Sequence, residues 1–196
     1  MATTTTTTTT TIAPAAPAAP AASARARLLV AASRLFYARG INVTGIDLVV
    51  RDAGVAKASL YNNFSSKEAL VVAYLEYESD EWIRTAGGLD DSQQPPRERV
   101  AALFEALARA VESQTFHGCP FTNAVIELPE CVSVRSVVER YRGVVRAHFA
   151  DLACADVDST VVSRLALLYD AAITAAKVAR DASLVREASA MAQDLV

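Results

Sequence analysis

Histidine and cysteine are scarce in this chain of 196 residues, with 2 and 3 copies. Cys119, Cys131 and Cys154 are odd in number and widely spaced, so neither a disulfide framework nor a zinc pattern is present. His117 and Cys119 lie two apart, but a metal site needs about four ligands. No second His/Cys pair is near them in sequence, and no metal or cofactor is expected. Glycine and proline number only seven each, and three of the prolines fall within the first 22 residues. Strand signals are equally poor, because each short valine pair sits in a pattern of period 3.6. No apolar run reaches 18 residues, which argues against a membrane span. The first 22 residues are threonine, alanine and proline almost throughout and carry no charged side chain. Such a stretch cannot offset its ordering entropy, and a disordered tail is expected. It lacks the basic start and continuous apolar core of a secretory signal. A cytoplasmic protein with reduced thiols is therefore expected.

What is abundant is apolar and alanine-rich sequence with helical periodicity. Hydrophobic residues make up 52% of the chain, enough for one or two compact helical units around a real core. The net charge of −3 is split unevenly. Residues 23–67 carry +5 and residues 68–196 carry −8. A basic first unit on an acidic body suits a protein that meets phosphate with one end only.

Residues 44–70, TGIDLVVRDAGVAKASLYNNFSSKEAL, are the organising stretch. Thr44 is placed as an N-cap, with Asp47 in the first turn. Ile46, Val49, Val50 and Ala53 follow at helical spacing, and Gly54 breaks the helix. A second helix over residues 57–64 puts Leu60 and Phe64 on one face and leaves Lys57, Ser59, Tyr61, Asn62 and Asn63 outside. Its opening residue, Ala56, is a poor cap. A third helix opens at Ser65 or Ser66, and Ser65 with Glu68 fits a capping box. This pattern is a helix-turn-helix with a short polar second helix.

These residues closely resemble the DNA-binding signature of the TetR family of bacterial regulators. Ala53, Gly54, Val55, Ala58, Ser59, Leu60, Tyr61, Phe64, Lys67, Glu68 and Leu70 all fall on that signature. The resemblance implies a three-helix DNA-binding domain over residues 23–68 and a helical effector-binding and dimerisation domain over residues 69–196. The tail occupies residues 1–22. GCPF-x-N-A, at residues 118–124, also resembles one sub-group of TetR-like regulators, where it lies in the ligand-binding domain.

Further helices are expected at residues 23–39, 97–115, 133–154, 158–180 and 183–196, with a short one from Phe121 to before Pro129. Residues 87–96 read as a loop. The helix leaving the motif runs to about Trp82, from the basic unit into the acidic one, and so forms a lever between them. Cys119 is expected to be a small buried residue at a helix start, and His148 a satisfied core histidine.

In a DNA reader the roles can be placed. Lys57, Tyr61 and Lys67 would chiefly meet phosphates, and Thr44 could donate to one. Ser59, Asn62 and Asn63 are candidates for base edges, since asparagine pairs in bidentate fashion with adenine. Ala58 would permit close approach or contact a thymine methyl. Trp82, Phe104, Phe121, Asn123, Glu127, Tyr141 and Tyr169 are the candidates for an effector pocket, apolar with a few polar groups. The last two helices pair with their copies in TetR-like proteins. Leu165, Ala172, Ala176, Leu184, Ala188 and Met191 are the expected dimer contacts. The expected function is a repressor, not an enzyme, released from a palindromic double-stranded operator by a small hydrophobic effector. The alternative is a DNA-binding protein without a ligand switch, architectural or activating.

Overall fold

Ser23 opens the first helix, its hydroxyl accepting the N–H of Ala26 at 3.2 Å. This computed structural model describes residues 23–156 and 158–196. The expectation for residues 1–22 lies outside that range. Helix α1 (Ala24–Arg39) buries Leu28, Ala31, Ala32, Leu35 and Phe36 along one stripe. Gly40 stops it at φ +101°, and a Cβ there would sit 3.1 Å from the Glu127 carboxylate. Helix α2 (Ile46–Ala53) buries Val49, Val50 and Ala53. Gly54 ends it in the left-handed conformation, φ +60°, which costs a side-chain-bearing residue strain. A Cβ at Gly54 would also meet the Arg27 guanidinium at 2.7 Å. Helix α3 (Lys57–Asn63) is short and has no side-chain cap. Leu60 and Phe64 tie it to the core that α1 shares with α2 and α4.

Helix α4 (Lys67–Gly87) opens on Ser66, whose hydroxyl accepts the N–H of Ala69 at 3.0 Å. The cap is thus Ser66, and the capping box expected of Ser65 and Glu68 does not form. Glu68 instead accepts a hydrogen bond from Ser133. With 21 residues, α4 is about 30 Å long at 1.5 Å per residue. Its first half packs on α1 and its flank on α6 and α7. Helices α5 (Pro96–Glu112), α6 (Pro120–Glu127), α7 (Val132–Leu152), α8 (Thr160–Ala179) and α9 (Ser183–Gln193) complete the all-α body. There α5 packs against α7, α8 and α9, and α7 lies between α4 and α8.

Several ends fall short of the periodic pattern, for local reasons. Helix α5 stops at Glu112 because the Ser113 hydroxyl turns back to the Ala110 carbonyl at 2.7 Å. Helix α7 stops at Leu152, and Cys154 takes φ +49°. Helix α8 starts after Ser159, whose hydroxyl accepts the N–H of Val162. The cleanest lock in the body is Arg99, 7% exposed. Its guanidinium makes two hydrogen bonds to Asp90, at 2.7 and 2.9 Å, and donates to the carbonyls of Asp151 and Leu152. It thereby joins the loop after α4, the start of α5 and the end of α7. No described helix is long and apolar enough to cross a membrane.

Candidate nucleic-acid interface and effector cavity

Helix α3 presents a polar face. Lys57, Ala58, Tyr61, Asn62 and Asn63 are exposed and Ser59 is half-buried, while Leu60 beneath them is fully buried. Tyr61 is 53% exposed, unusual for a large ring. Lys57 pairs with Asp47 at 2.7 Å across the turn, and that hydrogen bond raises the lysine pKa. The Asn63 side-chain amide donates to the Ser59 carbonyl at 2.7 Å, which leaves Asn62 the freer reader of the two. Two arginines that the motif does not include stand beside this face. Arg25 lies over the Phe64 ring, 5.2 Å from its centroid. Arg27 donates to the Gly54 carbonyl at 2.5 Å. The only sequence signal for them is their place in the basic segment before the motif.

One of the expected phosphate contacts is corrected. Thr44 is fully buried, and its hydroxyl donates to the Gly40 carbonyl at 2.7 Å. Gly45, not Thr44, occupies the N-cap of α2. The threonine therefore closes the end of α1 and has nothing left for a phosphate. Lys67 donates to the Ile41 carbonyl at 2.6 Å in a partly buried site, which uses one of the three donors of its ammonium.

In the acidic body, α4, α5, α6, α7 and α8 surround a cavity of about 280 Å³. Trp82, Phe121, Tyr141 and Tyr169 line it, as expected. The Trp82 indole N–H donates to the Tyr169 hydroxyl at 3.2 Å. Burial pushes that tyrosine up to about 12. Phe121 and Tyr141 stack face to face, 6° apart in plane. Phe104 does not line the cavity but backs Tyr169 edge-on, with centroids 5.6 Å apart. Sequence reasoning missed Tyr37, Glu78, Glu81, Phe116 and Cys119 as lining residues. The Glu78 and Glu81 carboxylates had no motif to announce them. Cys119 is half-buried at the N-terminus of α6. His148 is half-buried and is not the satisfied core histidine expected. Its Nε2 is buried without a partner among the described residues, its ring stands edge-on to Trp82 at 5.4 Å, and burial lowers its pKa.

Asn123 and Glu127 stand outside the cavity, contrary to expectation. The Glu127 carboxylate accepts the backbone N–H of Ile41 at 3.0 Å and of Asn42 at 2.8 Å. The Asn42 side chain donates back to the Glu127 carbonyl at 2.9 Å. Asn123 donates to the His117 carbonyl and accepts from Lys177 at 2.8 Å. Nearby, the Tyr37 hydroxyl donates to the Gly118 carbonyl at 2.9 Å and accepts the His117 N–H at 3.0 Å. Helix α6 and its leading loop are thus bonded directly to the end of α1 and the link to α2. Both carry cavity-wall residues as well.

A family model described as bacterial regulatory proteins, tetR family, matches residues 28–74, from α1 into α4. The crystal structure of a TetR-family transcriptional regulator from Streptomyces coelicolor aligns at a TM-score of 0.77 and 31% identity. That alignment covers 87% of this chain and 92% of the other. The chain belongs to the TetR family. The transcriptional activator FasR of Mycolicibacterium smegmatis is 35% identical over 88 residues, 45% of this chain and 40% of that protein. The transcriptional repressor KstR2 of Mycobacterium tuberculosis is 34% identical over 90 residues, 46% of this chain and 45% of that protein. This TetR-family chain therefore spans less than half the length of these curated relatives in each match.

The TetR-family body leaves an apolar face on its last two helices, but three of the expected dimer contacts lie beneath it. Leu165, Ala172 and Ala176 are fully or almost fully buried within the chain. Their small size serves close packing of α8 inside the body, so they have no surface left for a second copy. The exposed apolar residues of α8 are Leu167, Ala171, Ala175, Val178 and Ala179, with Leu167 62% and Val178 82% exposed. On α9, Met191 is 51% exposed, and Leu184 and Ala188 are half-buried.

Proposed function

We propose that this TetR-family chain is a sequence-specific DNA-binding transcriptional regulator. It acts as a cytoplasmic homodimeric repressor that a small, largely apolar effector releases from a palindromic operator. The observation that carries this reading is the polar face of α3, held at a fixed height by buried Leu60 and Phe64. A helix so presented enters the major groove. Asn62, Ser59 and Ala58 face the base edges, while Lys57, Tyr61, Asn63, Lys67, Arg25 and Arg27 meet the backbone. Residues 23–68 form the reading unit, and residues 69–196 hold the effector and the partner copy. Leu167, Val178, Met191, Leu184 and Ala188 form the dimer seam.

Release follows from α6 facing two ways. Phe121 lies in the cavity wall, and Glu127 holds the Ile41–Asn42 segment that leads into the motif. An effector that moves α6 and α4 turns the reading unit. Half-sites one helical turn apart, about 34–36 Å, tolerate little change in the spacing of two recognition helices. Coupling energies of about 1–3 kcal/mol suffice. The curated relatives include an activator and a repressor, so a reporter assay decides the sign. For the assembly, sedimentation at micromolar concentration is expected to give a dimer alone and two chains per duplex with DNA. A monomer in both would sink the proposal.

A further inference from the structure

The cavity is one-sided in charge. Glu78 and Glu81 line it, and no lysine, arginine or histidine among the described residues does. Glu81 is paired with Arg84 one turn along α4. Glu78 has no cation: its carboxylate accepts a hydrogen bond from the Ser33 hydroxyl at 2.5 Å and makes no ion pair among the described residues. Burial raises its pKa, the Ser33 hydrogen bond lowers it, and the neighbouring Glu81 raises it. A cation brought close to such a carboxyl favours its charged form. The remaining wall is aromatic. Tyr141 and Tyr169 each stand edge-to-face with Trp82, and Phe121 stacks on Tyr141. Aromatic faces carry negative potential and hold organic cations.

Resting on the reading of this cavity as the effector site, we propose that it takes organic cations, compact ammonium or amidinium compounds with an aromatic or aliphatic body. The body fills the apolar wall between α5 and α8. The positive centre sits among the aromatic faces of Trp82 and Tyr141 and within reach of the Glu78 carboxylate. Carboxylates and phosphate esters are excluded, since they would enter a wall that already carries two acids. The volume of about 280 Å³ lies at the small end for drug-sized ligands, which selects a small cation.

Trp82 is the only tryptophan in the chain and lines the cavity, so its fluorescence reports binding directly. Three matched probes separate the terms: benzyltrimethylammonium, its neutral carbon isostere neopentylbenzene, and the anion phenylacetate. In the wild-type chain the cation is expected to perturb Trp82 saturably and bind about tenfold tighter than the isostere. Phenylacetate is expected not to bind. Glu78→Gln should remove the preference for the cation, and Glu78→Asp should keep it. The wild-type comparison stands even if a variant folds poorly. Equal or tighter binding of the neutral isostere would overturn the cation assignment and leave the effector cavity intact. Preference for phenylacetate would do the same. No response of Trp82 to any probe up to millimolar concentration would overturn the site together with its ligand class.

Discussion

The Glu127 carboxylate lies 2.8 Å from the backbone nitrogen of Asn42, 85 residues earlier in the chain. That bond, with its partner to Ile41, couples the wall of the cavity to the entrance of the DNA-reading motif. Glu127→Ala removes the clamp without touching either ligand. DNA affinity without effector should change only a few-fold. The ratio of DNA affinities with and without effector should collapse toward one, from the roughly 5–150-fold that allosteric couplings span. Fluorescence anisotropy on a labelled operator measures both quantities. An unchanged ratio would move the coupling elsewhere, α4 being the next place to look.

Phosphate contacts announce themselves through salt. Each of Lys57→Ala and Arg25→Ala should weaken binding to all sequences and lower the log–log salt slope by about 1. Tyr61→Ala, which loses no charge, should weaken binding with little change in slope. Lys67→Ala should also lower the slope, at a cost in stability of about 1 kcal/mol, because its ammonium also donates to the Ile41 carbonyl. An unchanged slope on Lys67→Ala would remove the lysine from the DNA contacts.

The Arg99–Asp90 pair sets a pH limit on stability. Its hydrogen bonds to Arg99 hold the Asp90 carboxyl below the usual carboxylate value of 3.8. A depressed native pKa stabilises above the unfolded value and stops doing so as pH falls through the native one. The contribution is therefore full above pH about 4 and fades below it. Asp90→Asn leaves a buried cation with half its partners, at an expected cost of about 2–3 kcal/mol at pH 7. Denaturant titration at pH 7 and at pH 3 checks this. The gap between variant and wild type should narrow at the lower pH.

The dimer seam is separable from the core of α8. Leu167→Glu and Val178→Glu place charge on exposed positions and should yield folded monomers. Ala172→Leu should instead destabilise the chain by about 1–3 kcal/mol through overpacking. Sedimentation with thermal melting distinguishes the two. A dimer that survives both glutamate substitutions would remove α8 from the interface.

Much of this was legible in the sequence, because it is written in short-range terms. The spacing of Leu60 and Phe64, the break at Gly54 and the stripe of α1 are all local, and the structure follows them. The aromatics Trp82, Phe121, Tyr141 and Tyr169 were readable as a group because a helical bundle has one inside. The failures share a cause. Thr44 looks like a phosphate ligand until the carbonyl of Gly40 is placed beside it. Glu127 looks like a pocket residue until the link at Ile41 arrives from 86 positions away. Ala172 and Ala176 announce close helix packing, but not whether the neighbouring helix belongs to the same chain. A linear pattern names a side chain's chemistry; only the fold says which partner has already claimed it.

The account rests on α3 reading DNA sequence as one half of a two-fold pair. Selection of bound duplexes from a random pool at physiological salt tests that most directly. The predicted result is an enriched palindrome whose half-sites lie about one helical turn apart, lost on Asn62→Ala. Bulk, salt-sensitive binding with no enriched sequence, or no binding at all, would contradict it.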